Sequence, residues 1–298
     1  MNMHLRCISS KELHVNLSRN GHQLNIRSYP MPVSDYTLSI VTPTYNRKHL
    51  LGRSLDASLQ LIQQGIACEI VVVDDASTDQ TSEFLTSNYA DEIAQRLIVV
   101  ERFEKNQGVT AAKNRGAELA RGVWVAFMDS DDNFIVEHGM VMLTELVEHH
   151  DDAAVFFRCR DNQHKIQIGP DLPAGYIGLK QIINQGTPGE CLPVIKRQVI
   201  LSYPYPAELR GSESLSYFGM LNAEHRIFIS ALIVREYEYA GDDRLSAKKG
   251  LRARAAKLVV HNVRTLRFIS ALSAKTLFGV LLRIAYYSWL TCLNKITR

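Results

Sequence analysis

Between residues 38 and 135 the chain alternates short apolar runs with stretches of helical spacing. LSIVTP, ending at Pro43, is an apolar run, and EIVVVDD, ending at Asp75, is continuous and β-branched. A run of the second kind predicts a strand buried on both faces. Asn46 to Gly65 puts Leu50, Leu51, Leu55, Leu59 and Ile62 on one side, which predicts a helix. A second helix, capped by Ser77 or Thr78, is expected next. RLIVVER then predicts a third strand, Gly108 to Arg121 a third helix, and VWVAFMD a fourth strand. Alternation at this spacing implies right-handed crossovers and a mainly parallel sheet, an α/β fold.

The flanks read differently. HVNLSRNGHQLNIRSYP predicts two short strands around Arg19-Asn20-Gly21, because Asn-Gly supplies the positive φ angles of a tight hairpin. Ala153 to Cys159 predicts a further strand and Gly178 to Gln185 a short helix. Thr187-Pro188-Gly189-Glu190 and Tyr203-Pro204-Tyr205-Pro206 are loop signals that could border a cleft. SAKKGLRARAAKLVVHNVRTLRFISAL is basic and helical in spacing. TLFGVLLRIAYYSWLTCL follows with Arg283 as its only charge.

Composition changes the picture in one place. The net charge of +3 is unremarkable, but no Asp or Glu follows Asp243, while Arg244 to Arg298 hold 12 of the 34 Lys and Arg. An acidic body therefore carries a strongly basic tail. Lys, Arg and aromatic residues together suit a helix lying on an anionic membrane; a dimer contact, a cap on the body and a membrane span are the other readings. No nucleic-acid module is recognisable. The five scattered cysteines form no CxxC pair, which speaks against a zinc site or a disulfide framework, and Met1 to Cys7 lacks the apolar core of a signal peptide. A reducing cytosol is the expected compartment.

In parallel sheets ligands bind beyond the carboxyl ends of the strands. Here those ends carry Pro43-Thr44-Tyr45-Asn46, Asp74-Asp75 and Asp129-Ser130-Asp131-Asp132. Two carboxylates in Asp-Ser-Asp repel unless a cation sits between them, and hard oxygen ligands suit Mg²⁺ or Mn²⁺. Each cluster alone could be a solvated turn or helix cap; on one rim they point to a metal-bound diphosphate.

SIVTPTYNR, EIVVVDDASTDQT and ERFEKNQGVTAAKNRGAELARGVWVAFMDSDD resemble the family 2 glycosyltransferases in order and spacing. The resemblance spans about residues 37 to 135, a third of the chain. It implies a GT-A fold, with helices on both faces of the sheet and here a helical C-terminal extension. It also implies a sugar-nucleotide donor, with a UDP-sugar favoured, and inversion at the anomeric carbon. By that resemblance Pro43, Tyr45 and Asn46 line the base and ribose pocket, and Asp75 accepts a hydrogen bond from the base edge. Asn106, Gly108, Lys113, Asn114 and Ser130 would border the donor, and Asp129 and Asp131 would frame ribose and metal. The family's general base is expected from a Glu-Asp pair; Glu213 matches its Glu, but Ser214 stands where Asp is common, so Glu213 is assigned alone. Arg244 could reach the phosphates from a loop after LIVREYEYA.

The domains expected are a hairpin extension (1–35), a catalytic region (36–245, divided near 135 into donor and acceptor halves) and a basic tail (246–298). The expected role is a cytosolic-face enzyme extending a glycan or lipid-linked acceptor of cell-surface polysaccharide or lipopolysaccharide. A silent sugar-nucleotide-binding subunit and a nucleotidyltransferase are the competing readings. The second lacks its usual glycine-rich loop after the first strand.

Overall fold

The computed structural model describes residues 36–169, 173–186, 190–238 and 252–296, and the strands β1 (Met3–Ser9), β2 (Glu12–Arg19), β3 (His22–Gln23) and β4 (Arg27–Pro30). The four strands form one antiparallel sheet. Within it β2 and β3 pair as a hairpin, Arg19 opposite His22, at the place the Asn-Gly signal marks.

The body is built on a nine-stranded sheet. Its first strands are β5 (Leu38–Thr44), β6 (Cys68–Asp74), β7 (Ile98–Arg102) and β8 (Trp124–Phe127). They run parallel in the spatial order β7, β6, β5, β8. Every residue of β5 and β6 is buried, which is what their unbroken apolar runs require. Alternate residues serve opposite cores: Val71 and Val73 face one cluster, Ile70 and Val72 another.

Helices cover both faces. α1 (Lys48–Gln63) packs on one, followed by α2 (Thr81–Asn88) and the short α3 (Ala90–Ala94). α4 (Val109–Leu119) packs on the other. α2 starts later than the sequence implies, because Ser77 and Thr78 are used in the loop before it rather than as caps. Gly116 lets α4 close on β5: a Cβ there would stand 2.2 Å from a methyl of Val41.

The second half is less parallel than the first. β9 (Asn133–Phe134) leads into α5 (Gly139–Glu148), which joins the α1 face, and then to β10 (Ala154–Asp161). β11 (Gly175–Ile177), α6 (Leu179–Gln185), β12 (Cys191–Lys196) and α7 (Arg197–Ser202) follow, then α8 (Ser214–Asn222) and β13 (Ile227–Tyr237). β12 runs antiparallel between β8 and β10; β13 is parallel to β10 and takes β9 and β11 antiparallel on its far side. The carboxyl ends of β5, β6, β8, β10 and β13 therefore share one rim. α9 (Ala255–Thr265) and α10 (Ala274–Ile296) close the chain as a helical pair.

Candidate functional site

The rim begins where β5 ends. The Thr44 carbonyl accepts from the Asp75 amide at 2.9 Å, carrying the strand pairing one step past β6. Asn46 then turns through a positive φ of 51°. Its Oδ1 accepts from the Thr78 amide at 2.7 Å, and its own amide donates to Ser77 Oγ at 2.9 Å. Asn46 thus fastens the loop after β5 to the loop after β6. Pro43 lies in β5 opposite Val73, and the Tyr45 ring stands 45% exposed.

The adjacent acids have separate jobs. Asp74 is fully buried and accepts from Ser77, Ser82 and Arg102, the last at 2.6 Å, so it is internal structure. Asp75 accepts from the amides of Gln107 and Gly108 at 2.6 and 2.8 Å, at the start of α4, where a helix favours negative charge. Asn106 Nδ2 donates to the Asp75 carbonyl at 3.3 Å. Gly108 sits at φ 93°, a region glycine enters freely, and its Cβ position is open space. Each Asp75 oxygen keeps a lone pair for a further donor.

α4 delivers two neighbouring residues with different roles. Lys113 Nζ pairs with Asp129 Oδ1 at 2.9 Å. Asn114 faces the chain itself: its Nδ2 donates to the Tyr205 carbonyl at 2.7 Å and its Oδ1 accepts from the Tyr205 amide at 3.0 Å. Both its polar atoms hold the Tyr203–Pro206 loop against α4. That loop also receives Ser216 Oγ on the Pro204 carbonyl, and the Tyr205 and Tyr217 hydroxyls meet at 3.1 Å. The loop signal read from the sequence is thus a strut between α4 and α8.

The acidic turn follows β8. Burial works against ionisation of Asp129, but Lys113 and then Arg235 outweigh it and hold its carboxyl below the usual range. Ser130 is buried. Burial, and then the Asp129 charge, push Asp131 up, despite Arg47 and Arg235 nearby. Burial carries Asp132 up to about 7, against the pull of Arg235. Asp131 is thus a carboxylate short of positive charge, beside one already paired. A hard divalent cation would relieve it, so the residues fit Mg²⁺ or Mn²⁺. Among the described residues no three His, Cys, Asp or Glu side chains converge on one metal position. One or two carboxylates with diphosphate oxygens is the pattern Mg²⁺ takes at nucleotide sites.

Glu213 occupies the position just before α8. Its charge and that of Asp129 both act on Lys113, whose ammonium they hold above the ordinary lysine range although burial opposes it. Lys113 is thus held by Asp129 directly and feels the Glu213 charge as well. Arg244 lies outside the described residues.

Sequence reasoning passed over Arg235. This residue of β13 is 3% exposed. It donates to Cys159 Sγ at 3.0 Å and pairs with Glu190 at 3.3 Å and Asp132 at 3.4 Å. Arg210, whose charge lowers Asp129, was also unassigned. A cleft of about 840 Å³ lies against α1, lined by Arg53, Tyr89, Asn133, Arg160 and Glu236. It is separate from the Lys113 side of the sheet.

Residues 39–193 match the profile of Glycosyl transferase family 2, just over half of the chain. The chain belongs to that family. Among curated relatives, the succinoglycan biosynthesis protein ExoO of Rhizobium meliloti is 36% identical over 95 residues, 32% of this chain. The poly(ribitol-phosphate) beta-glucosyltransferase of Bacillus spizizenii is 34% identical over 95 residues, again 32% of this chain. The matches span 25% and 15% of those relatives' own lengths. Among solved structures, S. aureus TarS 1-349 in complex with UDP-GlcNAc superposes with a TM-score of 0.58 at 21% identity, covering 77% of this chain and 66% of that one. The mannosyltransferase PcManGT of Pyrobaculum calidifontis, in complex with GDP-Man and Mn²⁺, gives 0.51 at 16%, covering 84% and 69%. These neighbours identify the fold of this family 2 chain as the GT-A type. The mainly parallel sheet between helical layers agrees with the expectation from the sequence.

Proposed function

We propose that this family 2 chain transfers a sugar, with inversion, from a nucleoside-diphosphate sugar to a glycan or lipid-linked acceptor of cell-surface polysaccharide. A UDP-sugar is the favoured donor. The observation that carries the reading is the position of Lys113. It is paired with Asp129 of the acidic turn and lies in the field of Glu213 at the head of α8. Asp129, read as donor-side, and Glu213, read as acceptor-side, thus both act on one cation. Relatives named for succinoglycan biosynthesis and as a poly(ribitol-phosphate) beta-glucosyltransferase, and neighbours in complex with UDP-GlcNAc and GDP-Man, support the substrate class.

In this reading Tyr45 and Asp75 receive the base, and the Asn106–Gly108 turn borders the donor. Asp131, with Asp129, would hold Mn²⁺ or Mg²⁺, which offsets the charge that builds on the departing diphosphate. Glu213 takes the proton from the acceptor hydroxyl. That oxygen forms the new glycosidic bond from the face opposite the leaving group, the anomeric carbon–phosphate oxygen bond breaks, and UDP carries away the electron pair. Ser214 cannot replace Glu213 as base, because its hydroxyl stays protonated at neutral pH. A lipid-linked acceptor puts the enzyme on the inner face of the cell membrane.

Purified protein incubated with UDP-, GDP- and dTDP-sugars, Mn²⁺ and a membrane extract is expected to release nucleoside diphosphate. Glu213→Gln should lower kcat by about 10²-fold or more while leaving UDP affinity unchanged. Normal turnover by that variant would remove Glu213 from its role. UDP binding with no turnover on any donor would favour a silent binding subunit.

A further inference from the structure

The C-terminal helices leave an apolar surface that the fold does not bury. α10 carries Phe278, Leu281, Leu282, Ala285, Tyr286 and Trp289 at the offsets that share one side of a helix, and all six are exposed. The large ones are 49% to 64% exposed.

The opposite side of α10 is fastened down. Val280 is buried, and Arg283 Nε donates to Oδ1 of the buried Asn262 on α9 at 2.9 Å. Asn294 exchanges two hydrogen bonds of 3.0 Å with Arg252 just before α9. At the other end the Ser273 amide donates to Asn184 of α6 at 2.8 Å. Arg283, the charge that interrupts the apolar segment in sequence, is exposed but hydrogen-bonded toward α9, and the stripe from Phe278 to Trp289 itself carries no charge.

Charge selects the occupant. Residues 252–296 contain eight Lys and Arg and no acid. Arg264 is paired within the chain with Glu208, but two copies placed face to face would bring the other basic side chains together, whereas an anionic lipid surface would compensate them. Lys257, Arg267 and Lys275 are exposed, and the stripe ends in Tyr286 and Trp289, side chains with an apolar body and a polar tip. α10 is about 35 Å long at 1.5 Å per residue, enough to cross a bilayer. Crossing would carry Asn262, Arg283 and the α9 contacts into hydrocarbon, where such groups are costly.

We infer that α9 and α10 form a docking hairpin that lies in the plane of an anionic bilayer, with the stripe from Phe278 to Trp289 among the acyl chains. Lys257, Arg267 and Lys275 contact the headgroups. This gives the proposed membrane location its surface and stands apart from the transfer chemistry.

The chain has two tryptophans, and Trp124 is buried, so emission changes on adding lipid report Trp289. The full chain is mixed with vesicles of phosphatidylcholine, alone or with phosphatidylglycerol, and followed by emission and co-sedimentation. A blue shift and co-sedimentation with the anionic vesicles alone are expected, reversed by about 0.5 M salt. Replacing Lys257, Arg267 and Lys275 together by Gln should weaken binding on the order of 100-fold. Leu282→Glu with Trp289→Glu should abolish sedimentation while UDP affinity is retained. Equal binding to neutral and anionic vesicles would overturn the inference, as would binding that survives alkaline carbonate, the mark of a span. So would absence of vesicle binding in a chain that light scattering shows to be a dimer split by Leu282→Glu. Vesicle binding that fails while UDP binding persists sinks this surface alone; the converse sinks the donor reading alone.

Discussion

Arg235→Met tests the electrostatic frame behind the acidic turn. The substitution keeps a long unbranched side chain and removes the charge. In the native fold the guanidinium is 3% exposed and lies 3.4 Å from Asp132, itself 1% exposed. At that separation, with Asp132 ionised, a unit-charge pair is worth about 5 kcal/mol at an effective dielectric of about 20, before desolvation is set against it. The Glu190 contact adds less, because that carboxylate is 51% exposed and screened by solvent. Breaking one side of a buried pair typically costs about 3–5 kcal/mol, since the remaining charge is left without a partner. Urea unfolding at about pH 8.5, above the value of about 7 to which burial carries Asp132, followed by tryptophan emission, should show a loss of that order. Asp132→Asn added to Arg235→Met should recover at least half of it, because the orphaned charge is then gone. A loss below about 1 kcal/mol, or no recovery in the double variant, would refute the pairing as the source of stability.

Two further outcomes follow from the geometry. Asn114→Leu leaves the Tyr205 amide and carbonyl without partners and should cost about 2–4 kcal/mol in urea unfolding. It should also lower kcat more than it changes UDP affinity, since it loosens the strut between α4 and α8; an equal loss in both would make Asn114 a donor contact instead. His261 on α9 is held below the ordinary imidazole range by burial and then by Arg283, and its Nδ1 is buried with no hydrogen-bond partner among the described residues. A depressed folded value gives stability that is present above about pH 6.5 and lost as pH falls through that lower value. Hydrogen exchange in α9 and α10 should therefore quicken on acidification, and His261→Gln should remove most of that pH dependence; an unchanged pH profile in the variant would contradict it.

What the sequence disclosed and what it hid have physical causes. β5 and β6 were readable because a strand buried on both faces must be apolar throughout. The rim residues were readable because parallel strands deliver their ends to one edge. Arg235 was not, because within LIVREYEYA it looks like any polar residue of an alternating strand. Its burial arises only when β13 pairs with β9 and β10, bringing in Asp132 from 103 positions away and Cys159 from 76. The resemblance sets Asn114 at the donor's border, but its partner Tyr205 lies 91 residues on, beyond the reach of local pattern. The antiparallel insertion of β12 between β8 and β10 was equally invisible, since strand order is set by tertiary packing and not by apolar period.

The proposed transfer requires this rim to hold a nucleoside diphosphate through a metal at Asp131. Calorimetric titration of UDP in the presence and absence of Mn²⁺, on the native chain and on Asp131→Asn, tests it most directly. Saturable binding is expected, weakened about ten-fold or more when Mn²⁺ is withheld, with a variant whose affinity no longer responds to Mn²⁺. UDP affinity that is the same with and without the metal, or the same in both proteins, would contradict it.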